Sequence, residues 1–71
     1  MKKIELETGG TVWKFLTKPG DLVEEGDILF ILEVMKMEVP YEAPISGEVV
    51  AVHIAEGDFV EEDQLALEIA D

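Results

Sequence analysis

The sequence predicts an all-β domain, a flattened β-barrel or sandwich of two four-stranded antiparallel sheets with pseudo-two-fold symmetry. Three observations predict it. The first is an internal repeat. Residues 10–32, GTVWKFLTKPGDLVEEGDILFIL, align without a gap on residues 47–69, GEVVAVHIAEGDFVEEDQLALEI, at an offset of 37. Seven of the 23 aligned positions are identical: Gly10/Gly47, Val12/Val49, Gly20/Gly57, Asp21/Asp58, Val23/Val60, Glu24/Glu61 and Glu25/Glu62. Chance gives about one or two, so the chain duplicates one supersecondary unit. Two copies are too few for a solenoid and suit a closed body with an approximate two-fold axis. The second observation is that Val, Ile, Phe and Trp gather in short runs, the composition of strands. The third is that no apolar pattern at spacing three to four lasts long enough for a helix.

The strands follow in order. Runs 2–7 and 11–17 precede the first Gly-Asp pair, Gly20–Asp21. A short strand, 21–24, lies between that pair and Gly26–Asp27. Glycine supplies positive φ there, and the aspartate closes the turn with its side chain. Strand 27–34 contains Ile28-Leu29-Phe30-Ile31-Leu32, apolar on both faces, as in a body with little open surface. Strand 37–42 follows. Pro40 and Pro44 cannot donate to a ladder, so they belong at strand edges or bends. Strand 47–54 repeats the second strand, 58–61 follows Gly57–Asp58, and 64–70 closes the chain. Trp13 and Phe15 are expected in or near the core. All of 1–71 is expected to form one domain.

Composition excludes several functions. The chain has 71 residues, no cysteine, five lysines, no arginine and 17 acidic residues, for a net charge of −12. Nucleic-acid binding needs a basic footprint, and none is present. Without cysteine there is neither a disulfide nor a thiolate metal cluster, so no metal site is expected. No apolar run approaches the length of a membrane span, and the start, MKKIELET, lacks an apolar leader segment. The protein is expected to be cytoplasmic and soluble, with no membrane partner. Much of the acidity serves solubility, and steering toward a basic partner is its functional reading. The 48% hydrophobic content in ordered runs argues against disorder.

Other chemistry is thin. His53 is the only histidine, and metal or catalytic sites need several convergent groups. The pairs Glu24-Glu25 and Glu61-Glu62 are explained by duplication and solvation. No glycine belongs to a phosphate loop. No catalytic residue is expected.

The exception is Lys36, in the segment ILEVMKMEVP, residues 31–40. Its repeat partner would be residue 73 or −1, just beyond either chain end. The pseudo-two-fold therefore puts Lys36 at the end opposite the termini, in the hairpin that joins the two units. A lysine amine becomes a nucleophile through burial or a cationic neighbour, and neither is offered here. An exposed amine between Met35 and Met37, two adaptable apolar side chains, is something another protein grips. The plainer reading is a lysine at a hairpin tip with two methionines in a minor core.

The segment Glu33-Val34-Met35-Lys36-Met37-Glu38 resembles the attachment motif of biotinyl domains, the biotin carboxyl carrier proteins and their relatives. The resemblance extends through Gly20-Asp-x-Val23, Leu29-x-x-Leu32-Glu33, Ala43-Pro44-x-x-Gly47-x-Val49 and Gly57-Asp-x-Val60. It covers nearly the whole chain. Related lipoyl domains share the fold, a barrel-sandwich hybrid, and usually carry Asp-Lys-Ala at the turn. Val34 stands where many relatives have Ala. The repeat aligns without the thumb insertion of some bacterial carriers, and their upstream Ala/Pro-rich linker is not expected.

The resemblance implies that biotin is joined to Lys36 by a biotin protein ligase. That enzyme would read Met35 and Met37, with Glu33, Val34 and Glu38 framing the turn. A biotin carboxylase would then load a carboxyl group, and a carboxyltransferase would pass it to an acceptor. The chain would be a non-catalytic carrier. Two other readings stand beside this one. Lys36 could carry lipoate in an acyl- or aminomethyl-transfer complex, or the chain could be an unmodified acidic interaction module.

Overall fold

The Gly-Asp pairs close turns of one design. In the computed structural model, which describes residues 1–71, Lys18 O accepts from Asp21 N (3.1 Å) while Asp21 Oδ2 accepts from Lys18 N (3.0 Å). The same reciprocal pair joins Glu24 to Asp27, Ala55 to Asp58 and Glu61 to Gln64. Pro19 followed by Gly20 at φ 98° makes the first of these a type II turn.

Between the turns run eight strands and no helix. They are β1 (Lys2–Glu5), β2 (Gly10–Phe15), β3 (Leu22–Val23), β4 (Ile28–Val34), β5 (Met37–Glu42), β6 (Gly47–Val52), β7 (Phe59–Val60) and β8 (Leu65–Ala70). Each lies within a stretch expected to be extended or within one residue of it. The short ones, β3 and β7, are held to two residues because reciprocal turns flank them on both sides. One antiparallel sheet has the order β1-β8-β6-β3 and the other β5-β4-β2-β7. The repeat offset of 37 maps β4 on β8, β2 on β6, and β3 on β7. The same offset maps β1 on residues 39–42 of β5. The two sheets are therefore images of one another.

The halves interlock. Strand β3, from the first half, pairs with β6 of the second, and β7 pairs with β2. Outside the strands, Gly20 N donates to Val49 O (2.7 Å) and Val49 N to Asp21 O (2.9 Å). Their mates repeat the bonds: Gly57 N to Val12 O (2.8 Å) and Val12 N to Asp58 O (2.9 Å). Neither half closes a sheet alone.

The core is entirely apolar. Leu29, Phe30, Leu32, Val49, Ala66, Leu67 and Ile69 are fully buried between the sheets. Consecutive Leu29 and Phe30 can both point inward because β4 shifts register against β5 between Ile28 and Phe30. Phe30 stacks between Phe15 (centroids 5.3 Å) and Tyr41 (4.7 Å). Phe15 thus packs on the core as expected. Trp13 does not. A bulge between Val12 and Lys14 sets it apart from the β4 register. It is 43% exposed, with the Lys14 ammonium 5.6 Å over its ring.

Candidate functional site

The β4–β5 hairpin has its last pair at Val34 and Met37. That leaves a two-residue loop, Met35-Lys36, with φ of 51° and 66°. Positive φ at both positions is the type I′ signature, whose twist matches that of the flanking strands. Asn-Gly is the usual choice. Met and Lys in the left-handed region cost about 1 kcal/mol or more each, so the turn is strained where an unstrained sequence exists.

The turn stands at the end opposite the termini. Glu33, Gly10 and Val60 meet at one end: a Cβ on Gly10 would lie 2.7 Å from Glu33 O, and Gly10 pairs with Val60. Their mates Ala70, Gly47 and Val23 meet at the other. Strand β4 runs toward the first group and continues into the turn, whereas β8 runs toward the second and ends at Ala70, next to the terminal residue Asp71. There the Met1 ammonium lies 3.5 Å from Asp71 Oδ1.

Lys36 is exposed, and neither ion pair of the molecule includes it. Met35 is 91% exposed and Met37 68%. The methionines therefore form no minor core, and the plain hairpin reading loses that part. Val34 is half-buried and packs on the core, anchoring the turn. Glu33 and Glu38 are exposed and directly opposite each other in the register. Like charges so placed repel across the strands. The turn borders neither open groove of the surface, so nothing around Lys36 excludes water.

His53 is on the surface, its Nε2 3.0 Å from Glu68 Oε2. Three features escaped the sequence reading. Phe59 is 87% exposed and its repeat mate Leu22 is 82% exposed. Asp63 adopts φ 70°, where its mate Gly26 has 94°. The repeat alignment held a signal for the last, since it sets Asp against Gly. Nothing in it marked Phe59 as outward.

Residues 3–69 match the biotin/lipoyl family model, described as "Biotin-requiring enzyme". The chain is 43% identical over 67 residues to the biotin/lipoyl attachment protein of Bacillus subtilis, covering 94% of this chain and 92% of that one. It is 34% identical over 64 residues to the dihydrolipoyllysine-residue acetyltransferase component of the Mycoplasma capricolum pyruvate dehydrogenase complex, covering 90% of this chain and 15% of that one. Among solved structures, the urea carboxylase of Kluyveromyces lactis superposes with a TM-score of 0.89 at 36% identity. That match covers 97% of this chain and 6% of the carboxylase. The chain thus spans nearly all of the first protein and a small part of the other two. It belongs to the biotin/lipoyl attachment domain family, small carriers that are not catalytic in themselves.

Proposed function

We propose that the chain is a biotin carboxyl carrier, with residues 1–71 as one carrier domain and Lys36 as the attachment residue. The observation that carries this reading is the strained Met35-Lys36 turn, which projects an unpaired ammonium clear of the body. An exposed primary amine fits the group: it forms an amide with the carboxyl carbon of biotin. Lys36 Nζ would hold the group in that amide linkage, and a biotin protein ligase would supply the ATP-driven activation of the carboxylate that the exposed amine lacks.

Biotin, once attached, supplies the ring nitrogen that carries a carboxyl group between enzymes. The residues of the chain supply presentation. Val34 fixes the turn to the core, the two left-handed residues aim Lys36 outward, and Met35 and Met37 offer flexible apolar contacts to the ligase. Glu33 and Glu38 flank the turn with negative charge. Biotin carboxylase and carboxyltransferase are the partners this reading requires, in a cytoplasmic setting. Tethering the cargo to a carrier keeps it at high effective concentration near both. The likeness to a urea carboxylase supports this side of the reading.

Lipoate on the same lysine is the second reading, favoured by the relative in a pyruvate dehydrogenase complex. Met-Lys-Met at residues 35–37, rather than Asp-Lys-Ala, favours biotin. Intact mass after incubation with a biotin ligase, ATP and biotin tests the choice, beside a parallel lipoate reaction and a Lys36→Ala control. One biotin added only when Lys36 is present is the expected result. Lipoate alone moves the protein to acyl transfer. No addition in either tube, with the chain folded, leaves an acidic interaction module. A Met35→Ala, Met37→Ala variant modified at the wild-type rate removes the recognition role of the methionines.

A further inference from the structure

Strand β1 is the edge of its sheet, and no strand pairs with its outer side. The direction of its backbone groups follows from its end. Leu6 N donates to Gln64 O (2.9 Å) and Leu6 O accepts from Asp63 N (2.7 Å), so both of its groups face the β8 side. Successive residues of a strand turn their backbone groups to opposite sides. No extra residue interrupts β1, because its register shift against β8 leaves the additional residue, Ala66, on β8. Lys2 and Ile4 therefore bond toward β8. The N–H and C=O of Lys3 and Glu5 face outward, into the open groove beside the strand. Glu7 agrees with this alternation, since its N–H reaches Tyr41 Oη across the groove at 3.0 Å. Ile4 and Leu6 are buried, so the side chains of Lys3 and Glu5 lie on the outer face of the sheet.

We propose that this edge takes up a second copy of the chain, β1 against β1 in antiparallel register, with Lys3 of one copy opposite Glu5 of the other. An added strand must meet outward-facing residues with outward-facing residues, which leaves three registers. Lys3 opposite Lys3, or Glu5 opposite Glu5, sets like charges against each other. Lys3 opposite Glu5 joins opposite charges, and a two-fold axis through Ile4 makes the pair twice. Charge thus selects one register. Each pair exchanges both of its backbone bonds, and Ile4 of one copy meets Ile4 of the other on the inner face. Neither ion pair of the free chain includes Lys3 or Glu5. The ladder stops before Glu7, whose N–H is already taken by Tyr41.

The matching edge is closed to such pairing. The repeat sets Pro40 of β5 where β1 has Lys3. Proline has no N–H to give, and it blunts the edge that carries it. A lysine also guards an edge against arbitrary strands, and β1 has two. At the next outward position, however, stands Glu5, so the charges of β1 complement a copy of β1 run backwards. The net charge of −12 opposes the approach of two copies and keeps the dimer weak. Lys36 lies outside this interface, on the turn between β4 and β5 of the other sheet. The two-fold axis aims the two turns in opposite directions, and both lysines stay exposed.

The test is sedimentation velocity of the full chain over a rising concentration series, at about 0.15 M salt, where a Debye length of ~8 Å screens the net charge more than close pairs. Wild type should self-associate. Lys3→Glu and Glu5→Lys should each weaken self-association about tenfold, since each sets like charges in both pairs. Glu5→Lys should do so although it reduces the net negative charge, which separates the register from long-range repulsion. An equimolar mixture of the two variants should regain wild-type association, because every opposed pair then joins an acid to a base. Amide exchange at Lys3 and Glu5 should slow as wild-type concentration rises. Both substitutions replace exposed side chains, and unfolding midpoints confirm that the variants fold. A wild type that stays monomeric overturns self-pairing and leaves the edge to a foreign strand or to its guarding lysines. Association that both variants retain, or that mixing fails to restore, overturns the register.

Discussion

The two ends of the molecule are built alike and finished differently. At one end β4 passes into β5 through Met35-Lys36; at the other, β8 and β1 pair in the matching position with no connection at all. Lys2, Lys3 and Ile4 keep register with Ile69, Glu68 and Leu67 across an open chain. Sheet order is the same in both cases. The fold therefore holds this strand pair with or without a turn, and the identity of the turn residues is free for another use. At the closed end that freedom is taken up by two non-glycine residues with positive φ. Their strain buys exposure of Lys36 rather than stability.

The largest expected effect comes from removing that strain. Replacing Met35-Lys36 by Asn-Gly, the pair that type I′ loops prefer, should abolish modification. It should also stabilise the fold by about 1–2 kcal/mol as two residues leave the left-handed region. In a domain of this size each 1 kcal/mol shifts the thermal midpoint by about 4–8 °C. A midpoint that stays put or falls would mean that the turn is unstrained, and the contrast between the ends would lose its meaning.

A pair of glycines sharpens the comparison. A Cβ on Gly47 would collide with Ala70 O and come to 2.8 Å from Ile69 Cγ2. On its mate Gly10 the nearest atoms are Glu33 O at 2.7 Å and Val34 Cγ2 at 3.0 Å. Backbone cannot step aside as a side chain does, so Gly47→Ala must push β6 from β8. The expected loss is about 1–3 kcal/mol by overpacking, larger at Gly47 than for Gly10→Ala. Urea unfolding of both variants checks the order. A smaller loss at Gly47 would show the open end to be the more compliant one.

Much of this was legible before the structure. The 37-residue offset put Lys36 opposite the termini, and eight runs of strand-forming residues became eight strands. Legibility came from local rules, since Gly-Asp turns and apolar runs act over a few residues. What failed depended on bulges. A one-residue shift moved Trp13 out to 43% exposure and let Leu29 and Phe30 both turn inward, and alternation cannot foresee either. The outward aim of Leu22 and Phe59 was hidden for a related reason. Apolar character argues for burial, and only register shows that no neighbour covers them. The direct opposition of Glu33 and Glu38 likewise needed the loop length.

The smallest expected effect tests whether strain elsewhere has a use. Gly26 and Asp63 occupy one fold position: Gly26 N donates to Ala43 O (2.9 Å) and Asp63 N to Leu6 O (2.7 Å). Both have positive φ, 94° and 70°, in matching reciprocal turns. Glycine takes that conformation freely, and aspartate tolerates it at a penalty. Asp63→Gly should therefore stabilise the chain by about 0.5–1 kcal/mol, less what glycine returns to the entropy of the unfolded state. Gly26→Asp should lose a similar amount. Nothing lies within 4 Å of a Cβ at Gly26, so its loss would be conformational and not steric. Thermal unfolding of the two variants, with modification of Lys36 measured beside it, separates the outcomes. Raised stability with unchanged modification makes Asp63 a drifted copy of Gly26. Raised stability with slower modification makes it a second place, after the Met35-Lys36 turn, where strain serves the carrier.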